Sequence, residues 1–392
     1  TIFRKIHFMK KKFIIFLSYI IIFFNSNLFS NENKQILKVG LLAPLSGEYK
    51  ELGNSLLYSL QLALDEIDDK SVFIIPRDSG FNNKEKIEGA IKDIRSQGAN
   101  IIIGPINYED FKNVKKFSDI IFISPSNIYP EFNDNIISIG ISLESQLLAL
   151  SKFVKKQKKT KTVIMFPKNQ YSELIEAKLK KLNLQNSKIF KYSSNPEVLT
   201  GEIEILTNYS QRKKNLDMRK KMYEDKEDEQ SIKQLEKLNQ LYTLGEVNFD
   251  SVIIIDFGNS LKSVLTSLVY TDVNDSKVLF TTVNQWFDES IFYENTIKRL
   301  YYPSINFREF KKYNENYFKK FKSYPSEITI LTYDALGLIY YAWKQNKNLN
   351  SINDFSFKNK IKGKIGTFSV NERRVVQELE IYRVEKNKFT KF

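Results

Sequence analysis

The sequence predicts an α/β protein built as two lobes, each a parallel sheet covered by helices. Three observations carry the prediction. At 392 residues the chain exceeds one small core and suits two domains of ordinary size. Short, wholly apolar strands alternate with amphipathic helices in two successive series, the pattern of parallel sheets buried on both faces. The first unit is the most informative. Residues 38–47 (KVGLLAPLSG) run as a buried strand into a Pro/Ser/Gly turn, and a helix over 54–67 follows with Leu56, Leu60, Leu64 and Ile67 on one face. A loop placed this way lies at the carboxyl edge of its sheet, where open α/β folds hold ligands.

After that unit a strand is expected at 72–75. The turn Pro76-Arg77-Asp78-Ser79-Gly80 then leads to a helix with Ile87, Ile91 and Ile94 on one face, closed by Gly98. A strand at 101–103 runs into Gly104-Pro105 and a short helix around 111–117. A strand at 120–123 empties into Ser124-Pro125-Ser126-Asn127, and a strand at 136–139 completes the first lobe.

The second series begins at Ser142, with a helix over 144–154, a strand at 163–166, a loop at 167–170 and a helix over 171–182. Strands at 187–192 and 252–255, a helix over 261–270 and a strand at 278–282 follow. Residues 202–244 interrupt this series with dense charge of both signs and no strand signal. Within them Ile232, Leu235, Leu238 and Tyr242 keep a three-to-four spacing, which predicts an inserted helical pair. Its outer face is either solvated or a docking surface for a partner protein.

From Trp286 the chain turns rich in Tyr and Phe. A helix is expected over 307–321, a stop at Tyr324-Pro325-Ser326, and a long apolar helix over 328–343 containing Tyr333-Asp334-Ala335. Strands at 366–370 and 375–384 end the chain. Elements left over after two complete series imply that the chain crosses between lobes more than once.

The N-terminus reads differently. Met9 is taken as the start, Lys10, Lys11 and Lys12 as a basic region, and 13–24 as an apolar run broken only by Ser18. Twelve residues rise about 18 Å as helix, short of the roughly 30 Å of a bilayer core. That length fits a signal peptide, so residues 1–30 are expected to be a leader cleaved after Ser30, with an uncleaved inner-membrane anchor as the alternative. Either way the protein is exported to the periplasm.

The formal charge is +14, and Arg4, Lys5 and the three lysines after Met9 lie in a leader that holds no acid. Heavy use of Lys, Asn, Ile, Phe and Tyr across the chain makes the basicity a compositional habit rather than the mark of an acidic partner. No nucleic-acid motif is present.

With no cysteine and His7 as the only histidine, the chain lacks thiol nucleophiles, Ser-His-Asp triads and histidine-held metals. The glycine patterns of nucleotide cradles are missing as well. Ser210-Gln-Arg-Lys213 fits an S-x-x-K pattern, but it stands alone in the charged insertion without partner motifs. The loops after the strands offer Ser46, Asn107, Tyr108, Ser124, Ser126, Asn127, Tyr171, Asp256 and Asn284, besides Asn169 and Asn259. These side chains hydrogen-bond and stack but are poor in acids and bases. They suit a binding cleft between lobes, with no catalytic and no metal-binding residue among them.

Residues 39–47 with Gly53 and the Leu-rich helix resemble the opening of type I periplasmic binding proteins of the leucine/isoleucine/valine class. Arg77-Asp78-Ser79-Gly80, Gln97-Gly98-Ala99, Ile103-Gly104-Pro105 and the stretch 243–252 are similar to the penicillin-binding protein activator family of alphaproteobacteria. Tyr333-Asp334-Ala335 and 363–368 match its late helix and terminal strand. The resemblance implies two Rossmann-like lobes joined by a hinge of three crossovers. Lobe 1 would comprise 36–141 with 283–345, and lobe 2 would comprise 142–282 with 346–392, carrying the insertion 201–245. It implies no enzymatic activity and no cofactor. The expected partner is a peptidoglycan synthase, a bifunctional penicillin-binding protein, with a small polar ligand in the cleft. The alternative is the substrate-binding component of an ABC transporter for branched-chain amino acids or amides, docking on a permease. Amino-acid-binding members grip their ligand with a Ser/Thr pair and an Ala-Thr pair. Ile106-Asn107-Tyr108 and Ser126-Asn127-Ile128 stand at those places here.

N-terminal sequencing of the exported protein is expected to begin at Asn31; a chain still beginning at Met9 would identify a retained anchor instead.

Overall fold

The computed structural model describes residues 35–128, 134–182, 184, 187–293, 299–371, 373–385 and 387–392. The expected leader lies outside them. Among the described residues no helix is long and apolar enough to cross a membrane.

Strand β1 (Leu37–Ala43) pairs in parallel with β2 (Val72–Asp78) on one side and β3 (Ile101–Ile103) on the other. Strands β4 (Ile121–Ser124) and β5 (Ile136–Ser138) extend the sheet in parallel. The second sheet has β6 (Thr162–Pro167) between β7 (Ser187–Tyr192) and β8 (Ser251–Ile254), followed by β9 (Leu279–Thr282). The strands expected between 37 and 282 are all present, most displaced by a residue at their ends, while β2 runs on to Asp78 through the first three residues of the expected turn.

Apolar runs work here because alternate side chains enter different cores. Leu41, Ile101, Ile103 and Ile123 join an inner cluster, while Leu42, Ile102 and Phe122 face outward onto helix α2 (Lys84–Ser96) through Ile87, Ile91 and Ile94. In the second sheet Val163, Met165 and Ile254 point into the same inner cluster as the first lobe. Ile164, Phe166 and Ile253 pack outward with Leu147 and Leu150 of helix α4 (Leu143–Lys156), which follows the short α3 (Phe111–Val114). Each such buried side chain contributes about 1.5–3 kcal/mol.

Helix α1 (Lys50–Ile67) begins a turn before the expected residue 54. Gly53 lies in that first turn, where a Cβ would overlap the Pro44 carbonyl, so the helix can press directly on the loop after β1. Asp78 holds the same loop from the other side. Its carboxylate accepts from Leu45 N at 2.9 Å, Gly80 N at 3.0 Å, Lys86 Nζ at 2.9 Å and the Ser46 hydroxyl. Burial alone would raise the Asp78 pKa, but these donors outweigh it and hold the group well below the usual carboxylate range.

Within 202–244 the expected helical pair is α7 (Tyr209–Glu224) and α8 (Glu229–Asn239), and α6 (Pro196–Leu206), which follows α5 (Ser172–Leu182), runs into its start. Arg212 pins the insertion to the lobe. Its guanidinium donates to Thr207 O and Thr243 Oγ1, both at 3.0 Å, and to Thr271 O beyond helix α9 (Gly258–Tyr270). Ser210 and Lys213 of the S-x-x-K pattern are exposed on α7.

The late chain departs most from expectation. Residues 300–304 form β10 (Leu300–Ser304), which pairs with β9 in the second sheet, although 283–345 was assigned to lobe 1. Among the described residues of that segment, α10 (Phe307–Phe321) and α11 (Thr329–Gln345) join the first lobe, where Ser59 of α1 donates to Thr329 O at 2.6 Å. Strands β11 (Ile361–Gly363), β12 (Gly366–Asn371) and β13 (Arg374–Gln377) then complete the first sheet, not the second. The run 375–384, read as one strand, breaks at residues 378–379. Its second half, β14 (Glu380–Glu385), pairs antiparallel with β10 and with β15 (Lys388–Lys391) in the second sheet. The three crossings therefore fall near 140, 305 and 378. Sequence pattern missed them because strands in either sheet bury the same kind of side chain.

The crossings are laced together. Gln377 donates to Ile139 O at 3.0 Å and Gly140 O at 2.8 Å, and its side-chain carbonyl accepts from Ser145 Oγ. Helix α11 is tied down by Asp334, which accepts from Lys364 N and Ile365 N, both at 2.8 Å, in the turn between β11 and β12. The close approach requires Gly363, whose Cβ would overlap the Asp334 carboxyl. This accounts for Tyr333-Asp334-Ala335 and 363–368 occurring as a matched pair.

Burial raises the Asp334 pKa to about 6, against the opposing pull of those two backbone donors. The folded state therefore holds this proton more tightly than the unfolded chain. The associated stability is fully present below about pH 4 and is lost as pH rises to about 6, on the order of 3 kcal/mol in all. Urea titrations of the wild type and Asp334→Asn should show the wild type losing stability relative to the variant across that window; parallel pH profiles would contradict the assignment.

Candidate functional site

The loops after β3, β4, β6, β8 and β9 meet between the lobes around a cavity of about 600 Å³, within the roughly 300–1,000 Å³ range of small-molecule sites. The first lobe supplies Asn107, Tyr108 and Glu109 after β3, and Ser126, Asn127 and Ile128 after β4. Facing them from the second lobe are Gln170 and Tyr171 after β6, Phe257 after β8, and Asn284 and Trp286 after β9. Ile141 and Gln146 line the cavity beside the hinge, and Ile328 and Leu331 bring the start of α11 to it.

Of the residues read from the sequence, Asn107, Tyr108, Ser126, Asn127, Tyr171 and Asn284 line this cavity. Ser46, Ser124 and Asp256 do not. Ser46 is held by Asp78 and Lys86 at the outer loop. Ser124 is buried, donating to Pro105 O at 2.6 Å and accepting from Ser126 N at 3.1 Å. Asp256 turns inward to accept from the hydroxyls of Tyr192 and Ser260 and from Phe257 N. Burial raises the Tyr192 pKa, with the Asp256 charge and hydrogen bond adding to it, so the phenol stays protonated as the donor. A polar residue at a strand end served equally well as a ligand group or a loop brace, and sequence spacing does not separate the two.

Sequence reasoning overlooked Trp286, Phe257 and Gln146. Trp286 and Phe287 have φ of 51° and 61°, a left-handed conformation that costs bulky residues about 1–3 kcal/mol each. Phe287 offsets this by burying its ring against Phe307 at 4.7 Å and Tyr382 at 5.0 Å between centroids. The turn thus drives one aromatic into the core and presents the next to the cavity. The run of Tyr and Phe from 286 onward was the available signal.

Asn284 organises this wall. Only 3% exposed, it donates its backbone N–H to Gln146 Oε1 at 2.8 Å, while its side-chain carbonyl accepts from Trp286 N at 3.1 Å and Ser304 Oγ at 2.8 Å. With the oxygen fixed, the amide nitrogen faces the cavity and makes no hydrogen bond among the described residues.

Residues 36–183 match the family described as periplasmic binding protein. Among solved structures, a putative branched-chain amino acid ABC transporter protein from Rhodospirillum rubrum aligns over 91% of this chain and 100% of its own, at 10% identity and TM-score 0.67. This chain has the type I periplasmic-binding-protein fold. The C-domain of LpoA from Haemophilus influenzae, a regulator of PBP1A, shares that fold at 13% identity and TM-score 0.58, covering 91% of this chain and 99% of the domain. LivJ from Streptococcus pneumoniae, in complex with isoleucine, does so at 16% identity and TM-score 0.53, covering 90% and 97%. No curated protein matches the sequence. At such identities the likeness carries the fold and leaves the ligand to the cavity itself. In this fold the three crossings act as a hinge about which the lobes can close.

Removing the Asp256 carboxylate leaves a buried phenol and a backbone N–H without an acceptor. Asp256→Ala is expected to cost about 2–4 kcal/mol in urea denaturation, and Asn127→Ala, at the exposed rim, under about 0.5 kcal/mol. Equal effects would contradict the division into braces and cavity groups.

Proposed function

We propose that this protein is an exported, non-catalytic binding protein of the cell envelope that acts through contact with a peptidoglycan synthase, with a small ligand held in the interdomain cleft. The observation that carries the reading is the helical insertion. On α6 to α8 and the segment after them, Ile205, Met218, Met222, Ile232, Leu241 and Tyr242 are exposed, with Tyr242 at 79%. Apolar side chains displayed on an otherwise charged helical surface are the makeup of a docking face, and Met adapts to irregular partners. Arg212 ties the insertion together through Thr207 and Thr243 and joins it to the lobe through Thr271 O. The likeness to the LpoA C-domain is consistent with this role.

The second reading, a solute-binding component of an ABC transporter, is supported by the volume and accessibility of the cleft itself. The two readings differ in which surface matters. A purified bifunctional penicillin-binding protein from the same cells is expected to co-elute with the wild type and to lose affinity at least tenfold against Met218→Asp/Met222→Asp, whose surface changes should leave the unfolding temperature intact. Absence of binding to the synthase would reject the contact role and favour the transporter reading.

A further inference from the structure

The cleft is built against charged ligands. Among the described residues lining it there is no Lys or Arg, in a chain that carries 60 of them, and Glu109 is its only acid. Backbone amides are the other means of holding an anion, and six of those in the loops are taken by side chains of the same loops. Glu109 N is taken by Asn107 Oδ1, Ser126 N by Ser124 Oγ, and Ile128 N by Ser126 Oγ. Across the cleft, Tyr171 N is taken by Asn169 Oδ1, Phe257 N by Asp256 Oδ1, and Trp286 N by Asn284 Oδ1. A carboxylate entering here would lose its hydration without a cation or these amides to replace it.

What the cavity offers instead is aromatic faces and neutral hydrogen-bonding groups. Tyr108 stands on one lobe, with Tyr171, Phe257 and Trp286 on the other. The amide nitrogen of Asn284 faces inward unpaired among the described residues, and its orientation is set by the two donors on its oxygen. The Asn127 and Gln170 side chains and the hydroxyls of Tyr108 and Tyr171 likewise make no protein hydrogen bond among the described residues. A hydrocarbon ring would leave these groups unmatched. A hydroxyl-rich ring satisfies both kinds of surface, with C–H faces on the aromatics and hydroxyls that donate and accept at the edges.

The geometry points to a neutral saccharide as the ligand of this cleft, one or two rings in extent. The inference rests on the reading of the cleft as a ligand site and is independent of the docking face on the insertion.

The test uses calorimetry and tryptophan fluorescence on the full chain, with cellobiose and N,N′-diacetylchitobiose as neutral probes and isoleucine, benzoate and adenosine as competitors. Trp286 and Trp343 are the only tryptophans, and Trp343 is buried in α11. A neutral disaccharide is expected to shift the Trp286 emission and to bind with an affinity that changes less than twofold between low and 0.5 M salt, since no ion pair is involved. Trp286→Leu should weaken binding at least tenfold. Tyr171→Ala, at the exposed rim and free of folding risk, should weaken it several-fold. Binding of isoleucine, benzoate or adenosine in preference to the sugars would overturn the inference, as would silence from every probe. Neither result touches the synthase-contact reading, which the co-elution experiment decides separately.

Discussion

The side-chain carbonyl of Asn284 is the acceptor on which the cleft depends. It receives the N–H of Trp286 and the hydroxyl of Ser304, while the backbone of the same residue donates to Gln146 at the head of α4. One residue thereby joins the end of β9, the strand that leads into the second crossing, and the helix that follows the first. It also fixes the left-handed turn that presents Trp286 and aims its own amide nitrogen at the cavity. Without that acceptor the Trp286 conformation would lose its anchor, and a buried hydroxyl would lose its partner, at about 1–3 kcal/mol for each group left unpaired.

The same economy recurs in other loops at the strand ends. Asp78 braces the loop after β1, Ser124 the loop after β4, and Asp256 the loop after β8, each by drawing backbone N–H groups onto a side chain. Loops satisfied from within are preorganised, and they have less to give a ligand. The cleft walls are therefore set before binding, and motion is left to the hinge, where Gln377 ties the first crossing to the third. Recognition falls to side chains that reach past the braces, which here are aromatic rings and amides.

Much of the fold was legible because its signals are local. Short, wholly apolar runs at 101–103, 120–123 and 163–166 marked the strands, and the Ile87, Ile91 and Ile94 stripe marked a helix whose apolar face is buried. The lobe assignment of the late chain was not legible. Leu300–Ser304 and Arg374–Gln377, the latter with only Val375 and Val376 apolar, are short segments that carry no mark of either sheet, and their sheet is chosen by pairing over long sequence distances. At the site, position at a strand end identified the right loops but not the direction of each side chain. Ser46, Ser124 and Asp256 look like ligand groups in sequence, and only the donors clustered around them show that they are braces. Trp286 was hidden for the opposite reason, since a bulky residue at positive φ obeys no local preference and is held by Phe287 packing behind it.

The central claim, that side chains of the cleft loops hold the backbone amides of Ser126, Ile128, Tyr171, Phe257 and Trp286, is open to direct measurement by residue-resolved hydrogen exchange on the free protein. The account predicts that the N–H groups of Ser126, Ile128, Tyr171, Phe257 and Trp286 exchange slowly with no ligand present, and that saturating disaccharide leaves their rates nearly unchanged. Rapid exchange in the free protein, with protection appearing only when ligand is added, would show those amides to be the ligand's own contacts and would contradict it.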